Sequence, residues 1–258
     1  MIALYTDFGL SGHYVGQMKA ILLQQAPAVP IIDLMHDAPV FDPQAAAYLL
    51  AALVGEFPPD TVFLCVVDPG VGGQRKPVIL KAGQQWFIGP DNGLFNIVIQ
   101  HALPKNDIEC WDITWQPKRL SASFHGRDLF APVAAKLANT LVDKLAGKLA
   151  DKATMPGVPR TLDMDIVNLW PGDLSKIIYV DHYGNAITGI RASSLPDTNT
   201  IFINNEKITR ANTFSDVSEG QGFCYQNANG LMEIAVNQGR ADQQYQLRIG
   251  SAVQVGAS

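Results

Sequence analysis

The sequence predicts an α/β protein: an N-terminal α/β layered domain with a largely parallel sheet, and a smaller C-terminal all-β, barrel-like domain. Three observations predict it. Over the first 145 or so residues, short apolar runs alternate with segments of helical period. The run Thr61-Val62-Phe63-Leu64-Cys65-Val66-Val67 is apolar throughout, as a strand buried on both faces of a parallel sheet is. Beyond residue 170, strand-like runs follow one another between Gly, Asn and Asp clusters with no long helical pattern. The chain has 258 residues, of which 47% are hydrophobic and 17% charged. That is ample material for a buried core and excludes a disordered chain.

In order, Ile2–Tyr5 reads as a strand and runs into the turn-rich Thr6-Asp7-Phe8-Gly9-Leu10-Ser11-Gly12. Val15–Gln25 reads as a helix, with Val15, Met18, Ile21 and Leu22 near one face. Val29–Leu34 is the next strand, and Pro43, suited to a first helical position, opens a helix through Val54. After the apolar strand come two more strand candidates, Val78–Lys81 and Trp86–Gly89, then helices over Leu94–His101 and Leu129–Leu145. Met155-Pro156-Gly157-Val158-Pro159 cannot sustain a helix and reads as part of a linker. The expected division is 1–152, a linker over 153–169, and 170–258. In the last part, strands are expected over Ile177–Val180, Ala186–Ile190, Thr200–Ile203, Gly222–Tyr225, Met232–Val236 and Gln246–Ile249.

Charge and composition exclude several classes of function. The 19 Lys and Arg against 24 Asp and Glu leave a net charge of −5, contrary to what phosphate neutralisation on a nucleic acid requires. The longest mostly apolar stretch, Ala45–Val54, is about half of the ~20 residues a membrane span needs. Three scattered cysteines, Cys65, Cys110 and Cys224, form neither a CxxC site nor a disulfide framework. No basic leader precedes Ile2, so a cytoplasmic protein is expected, with no nucleic-acid or membrane partner.

In an open parallel sheet, ligands bind beyond the carboxyl ends of the strands. The segments there are Thr6-Asp7-Phe8-Gly9, Asp68–Arg75 and Pro90-Asp91-Asn92-Gly93, joined by Ser123-Phe124-His125-Gly126-Arg127-Asp128 ahead of the last long helix. Each has an ordinary reading as well. Asp7 suits the cap of a Gly-rich turn, Pro90–Gly93 is a strong turn sequence, and Asp68 with Arg75 suits an ion pair. The glycines at 70–73 lack the lysine of a phosphate loop. A metal site of Asp7, His36, Asp68 and His125 is disfavoured by the absence of any HxH or HxxxH pair and by the positive charge of Arg75, so no metal is expected. There is no GxSxG elbow and no cysteine beside a base. An Asp, an Arg and a His around a pocket remain, a set suited to orienting and activating water.

Together, Asp68-Pro69-Gly70-Val71-Gly72, Arg75, Pro90-Asp91-Asn92-Gly93-Leu94, Ser123–Asp128 and Val180-Asp181-His182-Tyr183-Gly184-Asn185 resemble the S-adenosyl-L-methionine hydrolases. These are also called SAM hydroxide adenosyltransferases and are relatives of the fluorinating and chlorinating enzymes. The five motifs run in order over nearly the whole chain. The resemblance implies the same two-domain architecture and a homotrimer, with each site between the N-terminal domain of one subunit and the C-terminal domain of its neighbour. It implies hydrolysis of S-adenosyl-L-methionine to adenosine and L-methionine, without a cofactor, by in-line attack of an activated water on C5′. By position, the hydroxide-using triad is Asp68, Arg75 and His125. The halogenating branch carries an aromatic residue where Asp68 stands. Two alternatives remain: halide in place of water, or a non-catalytic adenosine-binding module.

The resemblance also distributes binding roles. Asp7 suits the ribose hydroxyls, since one carboxylate accepts two hydrogen bonds. Phe8, beside Asp7, and Asn92, in Pro90–Gly93, are further substrate-binding candidates. Tyr183 offers a ring and Asn185 an amide to adenine, with Phe214 on the other face of the base. Asp181 suits the methionine ammonium and Asn227 the methionine end. There the family often has Asn-Ser, whereas this chain has Asn227-Ala228-Asn229-Gly230 and so lacks a hydroxyl. Either Asp68 or His125 is the base.

Overall fold

The computed structural model describes residues 1–105, 107–146, 156–196 and 199–257. The chain divides into two compact units, residues 1–43 with 56–170 and residues 44–55 with 171–258. Each carries one seven-stranded sheet.

The first unit contains β1 (Ile2–Thr6), α1 (Tyr14–Gln25) and β2 (Ile31–Met35). Next comes α2 (Pro43–Leu53), whose residues from 44 onward group with the second unit. Then follow β3 (Val62–Val66), β4 (Pro77–Ala82), β5 (Gln85–Pro90), α3 (Asn96–Ala102), β6 (Ile108–Asp112), α4 (Ala131–Leu145), β7 (Val158–Pro159) and α5 (Met164–Val167). The sheet order is β2-β1-β3-β5-β4-β6-β7. β1 and β3 are buried along their whole length, which is why their sequences are continuously apolar. Their side chains join Met18 and Leu22 of α1 and Val133, Leu137 and Leu141 of α4 in one core.

The expectation of a largely parallel sheet is corrected. β2, β1, β3 and β5 are mutually parallel, but β4 is antiparallel to both β5 and β6, and β7 is antiparallel to β6. The reason is local. Only Gly83 and Gln84 separate β4 from β5, and a connection that short joins antiparallel strands alone. The parallel half carries the site, because the carboxyl ends of β1, β3 and β5 fall on one edge. Close approach of β5 to β3 requires glycine at position 89: a Cβ there would lie 2.3 Å from the Cys65 carbonyl oxygen. The expected domain end at 152 and linker residues 153–155 lie outside the described residues. Within the expected linker, Val158 and Pro159 pair with Asp112 and Trp111.

The second unit contains β8 (Leu174–Val180), β9 (Ala186–Arg191), β10 (Asn199–Ile203), β11 (Glu206–Arg210), β12 (Gly222–Gln226), β13 (Leu231–Val236), α6 (Ala241–Gln244) and β14 (Gln254–Ala257). Its sheet, β14-β10-β11-β12-β13-β9-β8, is antiparallel except for β11 with β12. Lys176 of β8 bridges Ala252, just ahead of β14, so one terminal segment reaches both edges and the sheet curls into a half-barrel. The strand expected over Gln246–Ile249 is not formed. Those residues close α6 instead: Gln246 takes φ 53°, and the Leu247 N–H donates to the Asp242 carbonyl at 2.8 Å. Among the described residues, no helix is long and apolar enough to cross a membrane.

Candidate active site

Asp7 follows β1 directly, and Asp68 follows β3 by two residues. Both line a cavity of about 320 Å³ together with Phe8, Tyr14, Phe124 and His125. Arg75 reaches Asp68 from the far end of the Gly-rich loop. Its Nε donates to Oδ1 and Oδ2 at 3.1 and 3.0 Å, and its Nη2 donates to Oδ2. Both side chains are nearly buried, and the Arg75 guanidinium lies 5.3 Å from the Phe130 ring centre. The loop holds this shape because Gly72, at φ 79°, passes so close to Ala122 that a Cβ would meet its carbonyl oxygen at 2.5 Å. That contact brings the Asp68–Arg75 loop against the segment leading to His125.

His125 opens a π-helical turn over Gly126–Phe130, which continues into α4. Extra residues of this kind inside a helix are frequent at functional sites. The turn is braced by Asp128, which accepts from the Ser121 N–H at 2.8 Å and pairs with Arg127. Arg127 in turn donates to Gln17 at 2.7 Å and lies 5.0 Å from the Phe124 ring centre.

His125 Nδ1 lies 2.9 Å from Arg75 Nη2. A guanidinium has no acceptor, so Nδ1 accepts and the proton of the neutral ring sits on Nε2. Burial pushes the imidazole below its ordinary pKa and the Arg75 charge adds to the effect, against the opposing charges of Asp68 and Asp128. The ring is therefore neutral at neutral pH and carries a donor on Nε2. Asp7 moves the other way. Burial raises its carboxyl pKa, the Phe41 N–H at 3.2 Å opposes that, and the nearby Asp68 adds to the rise.

The C-terminal candidates gather in a second cavity, of about 800 Å³, inside the second unit. Asp181, Tyr183, Asn185, Phe214 and Asn227 all line it. Asp181 accepts from the Asn185 backbone N–H at 2.8 Å and from its Nδ2 at 3.1 Å. Phe214 packs edge-on against Phe223 and Tyr225, while Tyr183 stands exposed on the rim. Asn227 is committed to its own turn. Its Oδ1 accepts from Asn229 N and Leu231 N, each at 3.0 Å, and its Nδ2 donates to Glu233 at 3.0 Å.

The sequence-derived candidates thus fall into two cavities, one in each unit. Asn92 lines neither. Its Nδ2 donates to the Val67 carbonyl at 2.9 Å and its Oδ1 accepts from Leu94 N, so it braces the strand end that carries Asp68. Sequence reasoning passed over Tyr14, Phe41 and Phe124 in the first cavity and Tyr225, Glu233 and Arg240 in the second. Glu233 had a legible signal: a lone carboxylate in Leu231-Met232-Glu233-Ile234-Ala235-Val236, on a strand buried throughout. Tyr225 donates to it at 2.5 Å. Among the described residues, no three His, Cys, Asp or Glu side chains are grouped to hold a metal ion.

Two family models match the chain: the SAM hydroxide adenosyltransferase N-terminal domain over residues 2–145 and the C-terminal domain over 175–254. Relatives named (R)-S-adenosyl-L-methionine hydrolase include one from Salinispora arenicola, 37% identical, with 93% of this chain and 91% of that one covered. Another, from Thermus thermophilus, is 34% identical, with 97% of each chain covered. Proteins named fluorinase match at 25% identity, for example one from Actinopolyspora mzabensis. Among solved structures, an uncharacterised conserved protein from Thermotoga maritima superposes with a TM-score of 0.81 at 31% identity, with 99% of both chains covered.

Proposed function

The chain belongs to the SAM hydroxide adenosyltransferase family, and on that basis we propose that it hydrolyses S-adenosyl-L-methionine to adenosine and L-methionine. The single observation that carries the water-using reading is the contact of Arg75 with both Asp68 and His125 at the cavity wall.

The leaving group at C5′ is a sulfonium, which departs as a neutral thioether and needs no acid. Only the water needs help, because its pKa in bulk is about 15.7. With Nδ1 occupied by Arg75 and a proton on Nε2, His125 cannot take up the water proton. It donates Nε2–H to the attacking oxygen and stabilises the negative charge developing there. Asp68, the other triad member lining the cavity, accepts the proton as the C5′–O bond forms. Arg75 fixes both partners through directional, charge-assisted hydrogen bonds. The rings of Phe8, Tyr14 and Phe124, in mutual edge and tilted contact, keep the cavity apolar around a poorly solvated nucleophile. Holding oxygen, carbon and sulfur in line supplies several kcal/mol more.

Asp7 takes the ribose diol, with Phe8 beside it. Tyr183, Phe214 and Asn185 take adenine, Asp181 takes the methionine ammonium, and Asn227 shapes the turn at that end. Residues 1–152 then form the catalytic part and 170–258 a barrel-like adenine-binding part. A homotrimer with each site shared between neighbouring subunits fits the division of candidates between two cavities. Three free, buried cysteines support a reducing compartment such as the cytoplasm.

Incubating purified protein with S-adenosyl-L-methionine in chloride- or fluoride-containing buffer and separating the nucleosides tests the reading. Adenosine and methionine in equal amounts are expected. A 5′-halogenated nucleoside would make the protein a halogenase, and unchanged substrate would make it a binding module.

A further inference from the structure

The second cavity meets a ligand with an unbalanced set of charges. Asp181 and Glu233 are two carboxylates on its wall, and Asn185 stands beside them, 6% exposed. Since carboxylates only accept, it is the Asn185 Nδ2 that faces Asp181. Glu233 is 4% exposed, and burial together with the charge of Asp181 raises its pKa against the hydrogen bonds from Tyr225, Asn227 and Asn185. A ligand cation placed here relieves that repulsion. Among the described residues, the one cationic side chain on the wall is Arg240, and it is already committed: Nε and Nη2 donate to Asp242 at 3.0 and 2.9 Å, and Nη1 donates to the His182 carbonyl at 3.0 Å. The turn at the cavity edge has spent its amides on itself, since Asn229, Gly230 and Leu231 all donate to Asn227. Ala228, on the wall beside them, contributes a methyl group and no hydroxyl. A ligand ammonium therefore finds two carboxylates, while a ligand carboxylate finds no uncommitted cationic side chain among the described residues of the wall.

We infer that the enzyme selects its substrate by the ammonium and not by the carboxylate, so that the decarboxylated sulfonium of adenosine, with a 3-aminopropyl chain, is a second substrate. This rests on the hydrolase reading above. The reaction balances in the same way: the water oxygen bonds to C5′, the C5′–S pair remains on sulfur, and one water proton is released. The products are adenosine and 3-(methylthio)propylammonium.

The test compares kcat/KM of the full-length protein, by adenosine release, on three sulfoniums. These are S-adenosyl-L-methionine, the 3-aminopropyl compound, and 5′-dimethylsulfonio-5′-deoxyadenosine, which has no amine. The expected result is a 3-aminopropyl value within tenfold of S-adenosyl-L-methionine and a dimethyl value at least 100-fold lower. A 3-aminopropyl value more than tenfold lower overturns the inference and leaves the hydrolase reading standing. So does a dimethyl value less than 100-fold lower, since the amine is then not what is read. Adenosine from none of the three overturns the hydrolase reading itself.

Discussion

Asp68→Asn is expected to lower kcat by about 10³-fold, within the range a positioned general base contributes, while KM changes only a few-fold. The substitution keeps the shape of the side chain and one oxygen for Arg75 to donate to, but removes the carboxylate that takes up the proton. Asp68→Ala would be a poorer probe. Both variants remove the counter-charge of Arg75, but Ala also removes every oxygen that accepts from this nearly buried guanidinium, and losing one partner of such a pair outright costs about 3–5 kcal/mol of stability. A thermal melt of the Asn variant accompanies the kinetics, so that a loss of folded protein is not read as a loss of chemistry. Turnover within tenfold of the unmodified enzyme would mean that the water proton goes elsewhere.

The second large effect separates two roles for His125. His125→Ala is expected to reduce kcat by about 10²-fold or more, comparable to removing one donor from a developing oxyanion. His125→Gln is expected to stay within tenfold of the unmodified enzyme, because its amide N–H reaches the place of Nε2 and cannot take up a proton. If the Gln variant falls as far as the Ala variant, the imidazole carries the proton. The pH profile gives an independent reading with a definite sign. The His125 pKa is lowered, so the neutral ring still predominates at pH 6.5, and the loss of activity on its protonation centres below that point. Protonation then places a hydrogen on Nδ1, which faces the Arg75 guanidinium, and the contact is lost. The acid inflection from this group is expected below pH 6.5 and is expected to be absent from the Gln variant.

Where burial on both faces dictated composition, the architecture was legible. β1, β3 and α4 stand within about two residues of where apolar runs and helical period placed them. The sheet's direction was not legible, because the turn that reverses β4 into β5 is Gly83-Gln84 and lacks the Asn-Gly or Asp-Gly pair that marks a hairpin. β11 was invisible for a different reason: four of its five residues are exposed and one, Ile208, is buried, so no pattern of period two arises. Gln246-Leu247-Arg248-Ile249 mimicked that pattern by chance, with Leu247 pinned by the end of α6 and not by a sheet. At the site, Asp68, Arg75 and His125 were legible as motif residues, whereas their hydrogen-bond order was not. Which histidine nitrogen faces the arginine depends on how the π-helical turn and the Gly72–Ala122 contact set the two loops together. Asn92 and Asn227 were legible as motif residues, whereas the backbone groups that their amides hold were not.

A crystal structure of the protein with a non-reactive thioether analogue of the substrate decides whether Asp68 and His125 share one attacking water. One ordered water is expected within hydrogen-bond reach of both His125 Nε2 and the Asp68 carboxylate, opposite the sulfur across C5′ and close to a straight line with it. A water bound elsewhere, or a C5′ that turns its sulfur toward Asp68 and His125, would contradict it.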